Sequence, residues 1–317
     1  MLSDYQGVIP ASNIPAGGNV SAFYPGDVLL SNIRPYLKKV WQANFIGGCS
    51  TDVMVIKAKK FVFDKFLYFI IANDSFINYA MSGAKGVKMP RGDKEQLMKY
   101  ELSTPSIDEQ KKIASLLTLI DQRIAIQNRV IKDLKKLKAA FCREALKTLE
   151  CIPKSRLGKH CTIVTGKLDA NAMSDSGQYM FFTCARENYH TDTYAFDGDA
   201  LLISGNGELG LCKFYSGKFN AYQRTYVLQH FDIDIQFAKL MIDAYLPQKI
   251  HKEKNVGAMP YIVLSTLSDL QIPIPDVSVQ NRISSVSCTI DETISVEESM
   301  LAKSNTVKQY LLSRMFI

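Results

Sequence analysis

The sequence is short of the features that most often announce chemistry. No C-x-x-C pair occurs among its seven scattered cysteines, an odd number. That argues against a disulfide framework or a thiolate zinc site, and for a reducing cytoplasm. The longest apolar run, FLYFIIA at residues 66–72, is too short to span a bilayer. MLSDYQGVIP has no basic region followed by an apolar one, so it is not a signal peptide. With 11 Pro and 18 Gly in 317 residues, wholesale disorder is not expected. The histidines 160, 190, 230 and 251 have no metal-ligand spacing. There is no P-loop, hence no translocase motor. Nor is there the Asn/Asp-Pro-Pro-aromatic motif expected of an adenine methyltransferase.

Positive charge is present but unevenly placed. Residues 1–150 hold 22 of the 38 Lys and Arg but only 14 of the 31 Asp and Glu. A basic first half suits a polyanion partner, and equally a soluble protein that happens to be basic.

The dominant feature is an internal repeat. PSIDEQKKIASLLTLIDQRIA at residues 105–125 answers to PDVSVQNRISSVSCTIDETIS at 275–295, without a gap. Pro105, Gln110, Ile113, Ile120, Asp121, Ile124 and Lys138 recur as Pro275, Gln280, Ile283, Ile290, Asp291, Ile294 and Lys308. Upstream, Met89-Pro90 recurs as Met259-Pro260, and GDVLLS at 26–31 resembles GDALLIS at 198–204. The plan is therefore globular unit, helix, globular unit, helix: 1–104, 105–150, 151–274 and 275–317.

Both repeated segments carry a heptad seam. In the first it runs through Ile113, Leu117, Ile120, Ile124, Ile131, Leu134, Phe141 and Ala145, with Gln127 and Lys138 as polar exceptions. Each helix should be about 38 residues, roughly 57 Å long. Two such seams in one chain can pair antiparallel, and symmetric overlap would bring Gln127 near Glu297. The alternative is that each helix packs on its own globular unit.

The globular units read as α+β. HCTIVTG, QYMFFTCA, DALLISG, GLCKFYSG and AYQRTYVLQHF are strand-like, and DIQFAKLMIDAYL is helical. In the first unit TDVMVIK is a strand and FDKFLYFIIANDSFINYAM a helix. GNGELG at 205–210 fits G-x-G-x-x-G, but LCKFYSGKF after it reads as a strand, so a hairpin loop is expected rather than a dinucleotide site. EQK at 109–111 imitates part of a nuclease signature, but it lies at a helix start and reads as a cap.

What remains is binding chemistry. SNIRPYLKKVW and AKGVKMPRGDK, both read as loops, supply Asn32, Arg34, Tyr36, Lys38, Lys39, Trp41, Lys85, Lys88 and Arg91. GNGELG, NAYQRTY and QKIHKEKNVG supply Asn206, Gln223, Arg224, Lys249, Lys252 and Lys254. Arg can pair bidentately with guanine, Asn with adenine, and Lys with phosphate. For any single one of them an ordinary solvated surface role is the competing reading.

The helix start PSIDEQKKI, continued to VIKDLKKLKAAF and preceded by GDVLLSNIRPYLKKV, resembles the specificity subunit of type I restriction–modification systems. The resemblance covers the whole chain. It implies two target-recognition domains joined by two long helices in an antiparallel coiled coil. Each domain would read half of a split site in double-stranded DNA. Methylation subunits using S-adenosylmethionine, and restriction subunits using ATP and Mg, would be the partners. No catalytic residue, metal or cofactor is implied for this chain. A self-sufficient methyltransferase, a coiled-coil scaffold and a recombination cassette fragment are the alternatives. The chain departs from the pattern in two places. Val279 stands where the first helix start has Glu109, and Gly26 lies 25 residues from Met1 whereas Gly198 lies 45 from Pro153. The expectation is a first domain that is N-terminally shortened.

Overall fold

The computed structural model describes residues 1–9, 20–253 and 261–316. Contacts divide the chain into Met1–Ile131 with Glu297–Ile317, hereafter unit 1, and Lys132–Val296, unit 2. Each unit thus combines one globular region with part of each repeated helix.

Unit 1 contains β1 (Val20–Phe23), β2 (Val28–Ser31), β3 (Val40–Gln42), β4 (Gly47–Ser50) and β5 (Val53–Ile56). They are followed by α1 (Asp64–Ile71), α2 (Asp74–Ser82), α3 (Lys94–Leu97) and the start of α4 (Ile107–Thr148). The three-stranded sheet runs β3-β2-β5, antiparallel throughout, and β1 pairs with β4. Val28, Leu29 and Leu30 are all buried, so the central strand is apolar on both faces and does not alternate. The expected single helix over 63–81 is two helices. Asn73 breaks it: its Oδ1 accepts from Ser75 N at 2.9 Å as the N-cap of α2, and its Nδ2 donates to Leu312 O. The break lets Ile71, Phe76 and Ile77 pack on the sheet while Phe66, Phe69 and Ile70 pack on Ala114, Leu117 and Leu312.

Unit 2 contains β6 (Lys154–Arg156), β7 (Thr162–Thr165), β8 (Tyr179–Phe182), β9 (Tyr189–Thr191), β10 (Asp199–Ser204), β11 (Cys212–Ser216), β12 (Phe219–Ala221) and β13 (Thr225–Gln229). Then come α5 (Ile235–Glu253), α6 (Leu264–Ser268), β14 (Gln271–Pro273) and α7 (Val277–Met315), which continues into unit 1. The main sheet is β11-β10-β13-β7, all antiparallel. β12, β8 and β9 form a second sheet, and β14 pairs with β6. Phe237, Met241 and Ile242 of α5 seal one core against Leu201, Ile203 and Leu228. GNGELG joins the antiparallel pair β10 and β11 as a hairpin loop, as expected.

The repeated Pro-x4-Gln motif has a physical role. Gln110 is 1% exposed; its Oε1 accepts from Phe63 N at 2.8 Å and its Nε2 donates to Pro105 O at 2.9 Å. Gln280, 2% exposed, accepts from Asp234 N at 3.0 Å and donates to Pro275 O at 2.8 Å. In both units one buried amide ties the start of a long helix to the backbone just before the first helix of the globular region.

The seam pairs as expected, antiparallel, within each unit. In unit 1 Lys308 Nζ lies 2.6 Å from Asp121, and in unit 2 Lys138 Nζ lies 2.6 Å from Asp291. These are the same two repeat positions with the helices exchanged. Helix lengths are 42 and 39 residues. Register differs from expectation at one point. Buried Gln127 accepts from Ser304 Oγ at 3.0 Å, one heptad beyond Glu297. Ser304 is small enough to admit the amide into the seam.

One contrast between the units concerns sheet edges. β7 covers the outer edge of β13, whereas among the described residues no strand pairs with the outer edge of its counterpart β5. Outward amides of Val53–Ile56 should therefore exchange faster than those of residues 225–228. Equal protection in hydrogen-exchange mass spectrometry would show that edge to be closed.

Candidate nucleic-acid interface

In each unit the residue after the central strand is clamped in the same way. Asn32 N donates to Asp52 O at 2.8 Å, and Asn32 O accepts from Gly92 N at 3.1 Å. Gly205 N donates to Arg224 O at 2.9 Å, and Gly205 O accepts from Ile262 N at 2.9 Å. A Cβ on Gly205 would lie 2.5 Å from Arg224 O, so the approach requires glycine there. The clamp gathers three chain segments at one end of each sheet.

In unit 1 it brings the two basic loops together. Ile33 bridges to Arg91, and Arg91 to Lys85. Arg34 sits in the left-handed region at φ 52°, donates its N–H to Pro90 O at 2.8 Å, and reaches Lys88 O through a guanidinium nitrogen at 3.4 Å. A non-glycine residue held at positive φ stores strain of the kind found at binding sites. Arg34 Nε and Asn32 Oδ1 are buried with no hydrogen-bond partner. Arg91 pairs with Asp52 at 3.2 Å. Lys85 pairs with Asp93 at 2.8 Å, which raises the lysine pKa and lowers that of the carboxyl. Tyr36 and Lys88 are exposed and Lys39 is half-buried. Two of the expected residues have partners within the unit. Lys38 pairs with Asp74 at 2.8 Å beside the Tyr5 ring, and Trp41 packs edge-on against Phe23.

In unit 2 Gln223 and Arg224 are exposed on the turn into β13, and Asn206 lies half-buried on the hairpin loop beside them. The helix read from sequence over 234–246 extends further, and α5 carries the first part of QKIHKEKNVG to Glu253. Lys249 is thereby tied to Ser265 O at 3.3 Å and to Glu253 at 3.8 Å, while Lys252 is exposed. Lys254 lies outside the described residues.

The sequence reading missed a third segment here, residues 184–188. Lys213 Nζ donates to Ala185 O at 2.9 Å, Arg186 O at 2.7 Å, Glu187 O at 3.4 Å and Asn188 Oδ1 at 2.8 Å. Burial holds this ammonium below the usual lysine range, yet four acceptors surround it. The hairpin loop folds back onto the segment: Gly207 adopts φ 61° and Glu208 N donates to Cys184 O at 3.2 Å. Glu208 then grips Arg186 Nε at 3.2 Å, leaving the Arg side chain 75% exposed. The available signal was the charged Arg186-Glu187-Asn188 turn straight after an apolar strand. Its anchor, Lys213, lies on a different strand, so local pattern could not reveal it.

Among the described residues no cluster of His, Cys, Asp and Glu could hold a metal, and no helix is long and apolar enough to cross a membrane.

This duplicated architecture is matched by known proteins. The model of the type I restriction modification DNA specificity domain matches residues 26–136 and 153–304. The chain belongs to that family. It is 37% identical over 155 residues to the type I restriction enzyme EcoDI specificity subunit of Escherichia coli, covering 49% of this chain and 34% of that protein. It thus spans about a third of that relative's length. It is 23% identical over 310 residues to the MjaVIII specificity subunit of Methanocaldococcus jannaschii, covering 83% of this chain and 72% of that one. The crystal structure of a type I restriction–modification S subunit from M. genitalium superposes with a TM-score of 0.77 at 16% identity, covering 100% of this chain and 88% of the other. That likeness bears out the α+β fold with two globular regions and long helices.

Proposed function

We propose that this chain is a non-catalytic DNA-specificity subunit that reads a split site in double-stranded DNA, one half per unit. It positions methylation and restriction subunits in the cytoplasm. The observation that carries the reading is the repeated backbone clamp, which presents a cation-bearing loop cluster at the same place in both units. S-adenosylmethionine, ATP and Mg belong in this reading to the partner subunits.

The test is an exchange of residues 153–273 for the matching region of a relative, followed by genome-wide mapping of methylated adenines with the methylation subunits present. One half of the motif should change and the other should persist. The purified chain alone should transfer no methyl group. Simultaneous change of both halves, or methyl transfer by the chain alone, would sink the proposal.

Within that reading, Arg186 is aimed by Glu208 and the Lys213 cage to pair with a base edge. Arg186→Ala should relax a single position in the half-site of unit 2, at a cost of about 1–3 kcal/mol in discrimination. Selection from a randomised duplex library shows the change directly. A uniform loss of affinity across all sequences would assign Arg186 to phosphate instead.

A further inference from the structure

The edge of β5 that no described strand pairs borders a cavity of about 610 Å³, lined by Val55, Ile70, Leu97, Tyr100 and Leu102 among others. Met98, also on its wall, is 81% exposed. The repeat shows what such a cavity is built to hold. In unit 2 the corresponding residues Leu267, Leu270 and Ile272 are packed in one core cluster with Leu157, Cys161 and Ile163. Those three belong to residues 154–165, where β6 pairs with β14 and β7 pairs with β13. In unit 1, residues 101–103 stand at the repeat position of β14 and form no strand.

Charge then separates the two sites. The segment in unit 2 is basic and is met by acids: Arg156 lies 3.6 Å from Asp269 and His160 2.9 Å from Asp232. In unit 1 the repeat position of Asp269 is Lys99, and Lys59-Lys60 stand near that of Asp232. The charged side chains on the cavity wall are Lys57, Lys59 and Lys94. A second copy offering its own residues 154–165 would bring cations to cations.

We infer that this edge and cavity are a docking site for an extended segment of another polypeptide, apolar at alternate positions and acidic, laid antiparallel on β5. Strand addition supplies the backbone partners that an open edge lacks, the cavity takes the apolar side chains, and the lysines select for acid. None of the loop residues expected to meet DNA lines this cavity.

The experiment uses two labelled peptides on the intact chain. One has the sequence of residues 154–165; the other carries K154E, R156E and K159E in that sequence. The acidic peptide should bind saturably and slow amide exchange at Val53–Ile56, and the unchanged peptide should bind about tenfold more weakly. In the chain variant K59E/K94E the order should reverse. These two lysines are exposed and make no ion pair among the described residues, so the fold is not at stake. Absence of saturable binding, binding without slower exchange in β5, or an order indifferent to the lysine reversal overturns the inference. Tighter binding of the unchanged peptide overturns it too, by giving the site to a second copy.

Discussion

Inserting one heptad into both long helices, after Val130 in α4 and after Ser299 in α7, should lengthen the spacer of the recognised DNA motif by about three base pairs. A heptad adds about 10.5 Å of helix, and duplex DNA rises about 3.4 Å per base pair. The insertion points follow from the observed register. Asp121 meets Lys308 on one side of them and Lys138 meets Asp291 on the other, so both pairs survive a matched insertion. Gln127 and Glu297, repeat partners that symmetric overlap would juxtapose, are not opposite each other, and insertions there would leave the stretch between them out of step. The bases read in each half should stay unchanged because the loop clusters are untouched. A heptad in one helix alone would leave the two ion pairs unable to form together and should weaken assembly. Methylome sequencing of cells carrying each variant is the measurement. An unchanged spacer in an active double-insertion protein would show that the helices do not set the distance.

The second large effect concerns Gln280. Gln280→Leu keeps the volume but removes both ends of the amide bridge. The Asp234 N–H and the Pro275 carbonyl then lose their partner beside a core cluster. Leaving one donor and one acceptor unpaired in that setting should cost about 2–4 kcal/mol. In a unit of this size each kcal/mol lowers the melting temperature by about 2–4 °C. Gln110→Leu should act similarly on unit 1, where the amide also donates to Phe61 O at 3.1 Å. Chemical denaturation followed separately in the two units would resolve the effects. A loss below about 0.5 kcal/mol for both variants, the range of ordinary surface substitutions, would show that water replaces the amide.

The helices were the most legible part of the sequence, because a heptad seam repeats over many turns and no Pro or Gly interrupts either helix. Their register was less so. Which residue faces Gln127 depends on where the two helices begin, and the small buried Ser304 gives no apolar signal. The break at Asn73 was hidden by the apolar residues on both sides of it; only its capping geometry marks the end of α1 and the start of α2. β6, β9 and β14 have three residues each, too few for alternation to register. The basic loops of unit 1 were visible as composition, but their joining through Asn32, Asp52 and Gly92 is a matter of backbone contacts. Lys38 and Lys249 look from sequence like any other exposed cation, and their acidic partners, Asp74 and Glu253, are visible only in space.

The cage around Lys213 bears on how such a protein changes over generations. The ammonium holds residues 185–187 through their carbonyl oxygens, which every amino acid possesses. Side chains at those positions can therefore be replaced one at a time while the loop keeps its shape. A loop anchored through its own side chains would lose its form with each replacement. Anchoring by the backbone separates the side chain on display from the frame that displays it. On the proposed reading, a new target would then arise by a single substitution at position 186 without passing through a misfolded intermediate.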